Sequence, residues 1–224
     1  QQMAPASVPA TVANVQKAIA LIDQEEGGGG TDLAPAMETA LSLPAAAGAA
    51  RSIIAITDGY ISGEQKIFDI IRSNSGAASF FSFGIGSSVN RYLIDGIAKT
   101  ALGESFVVTQ TSEAAAAAER FRTYIQSPVL TDIQVTYDGF EVYDIEPPVF
   151  STLFASRPVI LFGKWKGQPS GTIHITGKTG GRDYAEDIPV SAAVPTEANN
   201  IIQYLWARTR VERLTDYGIT ENLE

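Results

Sequence analysis

The amino-acid sequence predicts an α/β protein: a parallel sheet with helices, then an antiparallel β-sandwich-like module and a C-terminal helix. Three observations carry this. Helix and strand periodicities alternate over residues 1–126, the strand-like runs there are almost wholly apolar, and after Ser127-Pro128 short alternating strands separated by turn residues take over. Continuous apolar strands belong to parallel sheets covered on both faces, whereas alternating ones belong to antiparallel sheets with one wet face.

Residues 9–26 carry Val12, Val15, Ile19 and Ile22 at three- and four-residue spacing, a helix stopped by the four glycines Gly27 to Gly30. Residues 32–43 repeat the pattern with Leu33, Met37 and Leu41, and Pro44 lies beyond the end. Residues 52–57, Ser-Ile-Ile-Ala-Ile-Thr, read as a buried strand bounded by turn residues. A helix over 65–73 is predicted by Ile67, Ile70 and Ile71, a strand over 79–85 ends at Gly86, and 90–101 is a helix. A short strand over 105–109 and an Ala-rich helix over 112–126 complete a βαβαβα succession, which requires right-handed crossovers.

Beyond Pro128 the expected strands are 130–137, 139–143, 158–165, 171–177 and 184–190, punctuated by Asp138-Gly139, Pro147-Pro148, Gly167 and Gly180-Gly181. Alternation is strict in Thr172-Ile173-His174-Ile175-Thr176. Pro195-Thr196 opens a last helix carrying Ile201, Ile202, Leu205, Trp206, Val211 and Leu214, an apolar stripe wide enough that it must lie on something. The expected division is therefore 1–126, 127–195 and 196–218.

Of the 224 residues 45% are hydrophobic and 18% charged, which suits a packed protein and excludes disorder. No apolar run approaches the roughly 20 residues needed to span a bilayer. A formal charge of −9 with scattered Lys and Arg argues against nucleic acid as a partner. The absence of cysteine removes thiolate catalysis, Cys-ligated zinc and disulfides together.

Two loops carry the chemistry. Gly27-Gly28-Gly29-Gly30-Thr31-Asp32 presents a hydroxyl ahead of a helix, and Thr57-Asp58-Gly59 places a carboxylate at the end of an apolar strand. Both are hard oxygen donors of the kind Mg²⁺ accepts at the carboxyl end of a parallel sheet. Taken alone, Thr31 also reads as a helix N-cap, and Asp32 as a first-turn acid favoured by the helix dipole. Gly84-Ile85-Gly86-Ser87-Ser88 lacks the third glycine of a dinucleotide loop and the Gly-Lys-Ser/Thr ending of a P-loop. The single His174 lies on the polar face of its strand with Thr172 and Thr176, where no nucleophile, base and orienting acid assemble around it, and enzymatic activity is not expected.

The Gly-Gly-Gly-Gly-Thr-Asp loop, Ile-Ala-Ile-Thr-Asp-Gly, and Phe-Ser-Phe-Gly-Ile-Gly-Ser-Ser-Val-Asn-Arg resemble the von Willebrand factor type A (VWA) domain, in its inter-α-trypsin-inhibitor heavy-chain-like branch. Arg157 to Gly163 and Leu205-Trp-Ala-Arg208 resemble the segment C-terminal to that domain in the same branch. The resemblance implies a partial Rossmann-like sheet and a metal-ion-dependent adhesion site to which Thr31 and Asp58 would contribute. That site's Asp-x-Ser-x-Ser loop occurs nowhere in the sequence, which reads as an N-terminally truncated fragment lacking the first three strands. Mg²⁺, or Mn²⁺ or Ca²⁺, is implied for the intact domain, with the site of this fragment expected to stay empty. The implied function is a non-enzymatic binding module of a bacterial surface or secreted protein, extracellular, at the cell surface or periplasmic. Its implied partner is a protein ligand with an acidic side chain. A scaffold with a decayed metal site and a subunit of a metal-chelatase-like enzyme are the alternatives. The strand at 52–57 should have an open edge, and an open apolar edge invites self-association.

Overall fold

The computed structural model describes residues 3–24, 32–44, 49–58, 61–126, 128–150, 152–154, 158–168, 170–190 and 196–216. Thr31, the Gly27 to Gly30 turn and Gly59 lie outside them. Helices α1 (Val12–Gln24) and α2 (Leu33–Ser42) precede β1 (Ser52–Thr57), α3 (Glu64–Ser73), β2 (Ser79–Ile85), α4 (Arg91–Thr100), β3 (Ser105–Val108) and α5 (Thr111–Ile125). The three strands form a parallel sheet in the order β1-β2-β3, with Ile53 beside Phe80 and Phe83 beside Phe106.

The pleat of β2 feeds two cores. Phe80 points into one built from Ala34 and Met37 of α2, Ile67, Phe68 and Ile71 of α3, and Leu93 and Ile97 of α4. Phe81 and Phe83 point the opposite way into an aromatic cluster with Phe106, Phe121 and Tyr124. There the Phe83 and Phe106 rings stack at 4.7 Å and Phe121 stands edge-on to both. With both faces covered, the first six residues of β2 are buried without interruption, as a central parallel strand requires. The buried Ser82 hydroxyl is satisfied by donating to the Ile94 carbonyl at 2.8 Å.

Helix α1 forms as its periodicity predicts, yet none of its residues is buried, and Val12, Val15, Ile19 and Ile22 are all exposed. At α2 the N-cap position belongs to Asp32, whose side chain makes no capping bond, so Asp32 is not a first-turn acid.

After α5 come β4 (Pro128–Asp138), β5 (Glu141–Glu146), β6 (Leu153–Phe154), β7 (Phe162–Lys166), β8 (Thr172–Thr179) and β9 (Arg182–Pro189). They pair antiparallel as a four-stranded sheet, β6-β4-β8-β9, and a separate β5-β7 ladder. The expected strand at 158–165 starts only at Phe162, and the two-residue β6 had no periodicity to announce it. Ile133, Val135 and Tyr137 of β4 alternate with exposed neighbours but are only half-buried. Among the described residues beyond 127, Leu130, Phe154 and Glu146 alone are buried, so the two layers share little apolar core.

A 3₁₀ turn (Glu197–Asn200) leads into α6 (Ile201–Val211), which runs on into a π turn (Glu212–Asp216). The apolar stripe expected to face inward is largely outside: Ile201, Ile202, Leu205 and Val211 are exposed. The inward positions belong instead to Trp206, Arg210 and Arg213, because the β5-β7 ladder offers carboxylates rather than an apolar face. The Arg213 guanidinium grips the fully buried Glu146 carboxylate through two bonds of 2.7 and 2.8 Å.

Candidate functional site at the edge of the parallel sheet

Strand β1 is the outermost of the three, and among the described residues no strand pairs with its far edge. Its pleat turns Ile53 and Ala55 toward the core of α2, α3 and α4. Ile54 and Ile56 turn toward the α5 side, where they are 41% and 65% exposed. The reading of residues 52–57 as a buried strand is corrected on this face: α5 covers β3 and β2 but does not reach β1.

The uncovered strip is a groove of about 500 Å³ lined by Ile54, Ile56, Phe83, Ile85, Val108 and Phe121. It runs to Gly86 and Thr109 at the carboxyl ends of β2 and β3, the end of an open α/β sheet at which ligands bind. At the mouth, the first turn of α5 is braced by Glu113. Its carboxylate accepts from the Thr109 and Gln110 backbone N–H groups at 3.0 and 3.2 Å and from the Thr109 hydroxyl at 3.1 Å. These bonds, that of the Thr109 amide foremost, hold the Glu113 carboxyl below the usual carboxylate range.

Asp58 follows β1 directly and is exposed at the carboxyl end of the sheet. Among the described residues there is no group of three or more His, Cys, Asp or Glu that could hold a metal ion. A single carboxylate does not meet the near-octahedral oxygen demand of Mg²⁺, so the described residues do not by themselves fit the metal. Thr31, the other expected donor, lies outside the described residues.

The segment after Asp58 is anchored by a residue that sequence reading passed over. Buried Asn90 caps α4 by accepting from the Leu93 N–H at 3.2 Å, and its amide donates to the Ile61 carbonyl at 3.0 Å and to Glu64 Oε1 at 2.7 Å. One side chain thereby joins the exit of β1, the start of α3 and the start of α4. The signal in the sequence was Asn immediately before a helical run, which is an N-cap pattern.

His174 is on the wet side of the four-stranded sheet, as its alternation predicts, with Nδ1 2.6 Å from Asp187 Oδ1 across the β8-β9 pair. Thr136 is its register partner on β4. The pair is open to solvent, the Asp187 side chain being 69% exposed.

Residues 1–106 match the family model of the von Willebrand factor type A domain. A von Willebrand factor A domain-containing protein of Dictyostelium discoideum is 27% identical over 136 residues, 60% of this chain and 15% of that protein. A second from the same organism is 22% identical over 198 residues, 85% of this chain and 24% of its own length. The mouse von Willebrand factor A domain-containing protein 5B1 is 26% identical over 60% of this chain and 11% of its own length. The chain thus spans less than a quarter of the length of these relatives. Among solved structures, a von Willebrand factor type A protein from Catenulispora acidiphila superposes with a TM-score of 0.61 at 15% identity. That superposition covers 83% of this chain and 52% of the other. The fold is accordingly of the von Willebrand factor type A kind, a Rossmann-like parallel sheet flanked by helices. The matches support a von Willebrand factor type A domain in the first part of the chain.

Proposed function

We propose that this chain is a non-enzymatic protein-binding module, of the inter-α-trypsin-inhibitor heavy-chain-like branch, that docks partners at the β1 edge and the carboxyl end of the parallel sheet. The observation that carries this is the exposure of Ile54 and Ile56 beside a strand edge with which, among the described residues, no other strand pairs. Burying such a strip on a partner gains roughly 25 cal/mol for each Å² of apolar surface removed from water. The open edge also suits association with a second copy of the chain. A divalent cation, Mg²⁺ or its substitutes Mn²⁺ and Ca²⁺, would take Asp58 and Thr31 as two of its oxygen donors, with further donors from outside the described residues. Its chemistry would be to accept an acidic side chain of the ligand at an open coordination position. A place outside the cytoplasm, implied by the resemblance to the inter-α-trypsin-inhibitor heavy-chain-like branch, belongs to the same reading. If the cation never binds, the chain is a scaffold whose docking surface is apolar only.

Calorimetric titration of Mg²⁺ and Mn²⁺ into the chain and its Asp58→Ala variant tests the metal part. Indistinguishable heats in the two are expected of a site that is empty in this chain, and binding that the variant loses would show that Asp58 holds the cation here. Sedimentation of the chain over a wide concentration range, against Ile54→Lys, tests the edge. Association weakened by the lysine supports it, and a monomer throughout removes self-association.

A further inference from the structure

Helices in globular proteins are held mostly by burying an apolar face. α6 has no buried residue, and it points Ile201, Tyr204, Leu205 and Val211 at solvent. What it turns inward is a row spaced by four and three residues, Trp206, Arg210 and Arg213, continuous through the π turn. Each member meets a polar partner on the β5-β7 ladder. The Trp206 indole N–H donates to the Asp144 carbonyl at 2.7 Å, and its ring carries Lys164 Nζ at 3.7 Å. Arg210 lies 3.3 Å from Asp144 and 3.4 Å from Glu146. Arg213 makes the bidentate grip on Glu146, whose hydrogen bonds hold that guanidinium protonated more firmly than usual. Lys164 closes the row by pairing with Asp144 at 3.0 Å, and this bond, first among the charges around it, holds the Asp144 carboxyl below the usual range.

We infer that α6 and its π turn form a charge-latched strap, docked through Glu146, Asp144 and Trp206 rather than through apolar burial, and able to leave as a unit while the parallel sheet stays folded. A buried carboxylate is tolerable only while its cation is present; without Arg213, Glu146 would be a desolvated charge with a weaker partner. Undocking hydrates Glu146 and the arginines, which restores their solvation, and takes no residue out of the two apolar cores. The penalty for opening is therefore concentrated in one ion cluster. The two cores built around β2 contain no residue of α6. Toward the α/β part, Glu212 approaches Lys99 of α4 at 4.0 Å, an exposed pair of the weak class. The strap can thus open without breaking the sheet, freeing Trp206 and the inner side of the β5-β7 ladder. Such locally opening units are the elements from which conformational switches are drawn.

Hydrogen exchange on the full chain, followed by segment, tests this. In Arg213→Met, exchange of residues 201–211 is expected to rise by roughly two to three orders of magnitude while β2 stays protected. Trp206→Phe, a milder variant that keeps all charges, should move the same segment in the same direction by less. The paired change Glu146→Leu with Arg213→Leu should recover most of the protection, because no charge is left buried alone. Loss of protection in α6 and β2 together, no change in Arg213→Met, or failure of the paired variant to recover would each overturn the latch.

Discussion

Phe154 stands edge-on to Phe81 with ring centroids 5.8 Å apart, and Tyr124 of α5 packs on it at 5.3 Å. A two-residue strand paired with β4 thus supplies the residue that closes the aromatic core under the parallel sheet. Phe154→Ala removes a buried ring on which β2 and α5 converge, and should cost about 3–5 kcal/mol of stability. Urea denaturation measures it. A loss under about 1 kcal/mol would mean that β6 is only an attachment to the core and not part of it.

Asn90 serves three elements at once, so its replacement has two separable effects. Asn90→Ala removes the α4 cap and leaves the Ile61 carbonyl without that donor, together about 2–3 kcal/mol. Asn90→Ser keeps a capping oxygen but cannot span to Ile61 and Glu64, and should recover about half of this. Thermal unfolding of the two variants distinguishes the roles: equal losses would show that the cap contributes nothing.

The Glu113 carboxylate is held below its ordinary range by the Thr109 and Gln110 bonds. A depressed folded-state pKa contributes stability that is fully present above the unfolded value and is lost as pH falls through the folded one. Between pH 7 and about 5 the contribution is constant, and acidification below that range removes it. Glu113→Gln should be less stable than the parent at pH 7 and approach it near pH 3. Melting temperatures across that interval check the sign; a gap that widens on acidification would refute it.

Local pattern was enough for most of the backbone. Ile67, Ile70 and Ile71 placed α3, the phenylalanine-rich run 79–85 placed β2, and Asp138-Gly139 placed a turn, each because the spacing of apolar and turn residues is a property of neighbouring positions. The resemblance of the glycine loop and of Thr57-Asp58-Gly59 to the von Willebrand factor type A domain agrees with the family match over residues 1–106. The position of Asp58 just after β1 was legible too, since an apolar run ending at turn residues marks where a strand stops. Whether a metal binds was not, because coordination depends on donors distant in sequence.

What the sequence determined by itself is the alternation of helix and strand, the change to antiparallel pairing after residue 127, and the exclusion of thiol chemistry. Tertiary structure decided which face of each element is covered. Ile54 and Ile56 look like core residues until β1 proves to be the outermost of the described parallel strands, beyond the reach of α5. The α6 stripe looks like its inward face until Glu146 and Asp144 draw Arg213, Arg210 and Trp206 inward instead. Periodicity says that a face is apolar; what that face meets depends on residues far along the chain, such as Glu146 and Arg213, whose hydrogen bonds span 67 positions. A buried charge must find its partner wherever the chain brings one, and that requirement outweighs the burial of a stripe that solvent can tolerate.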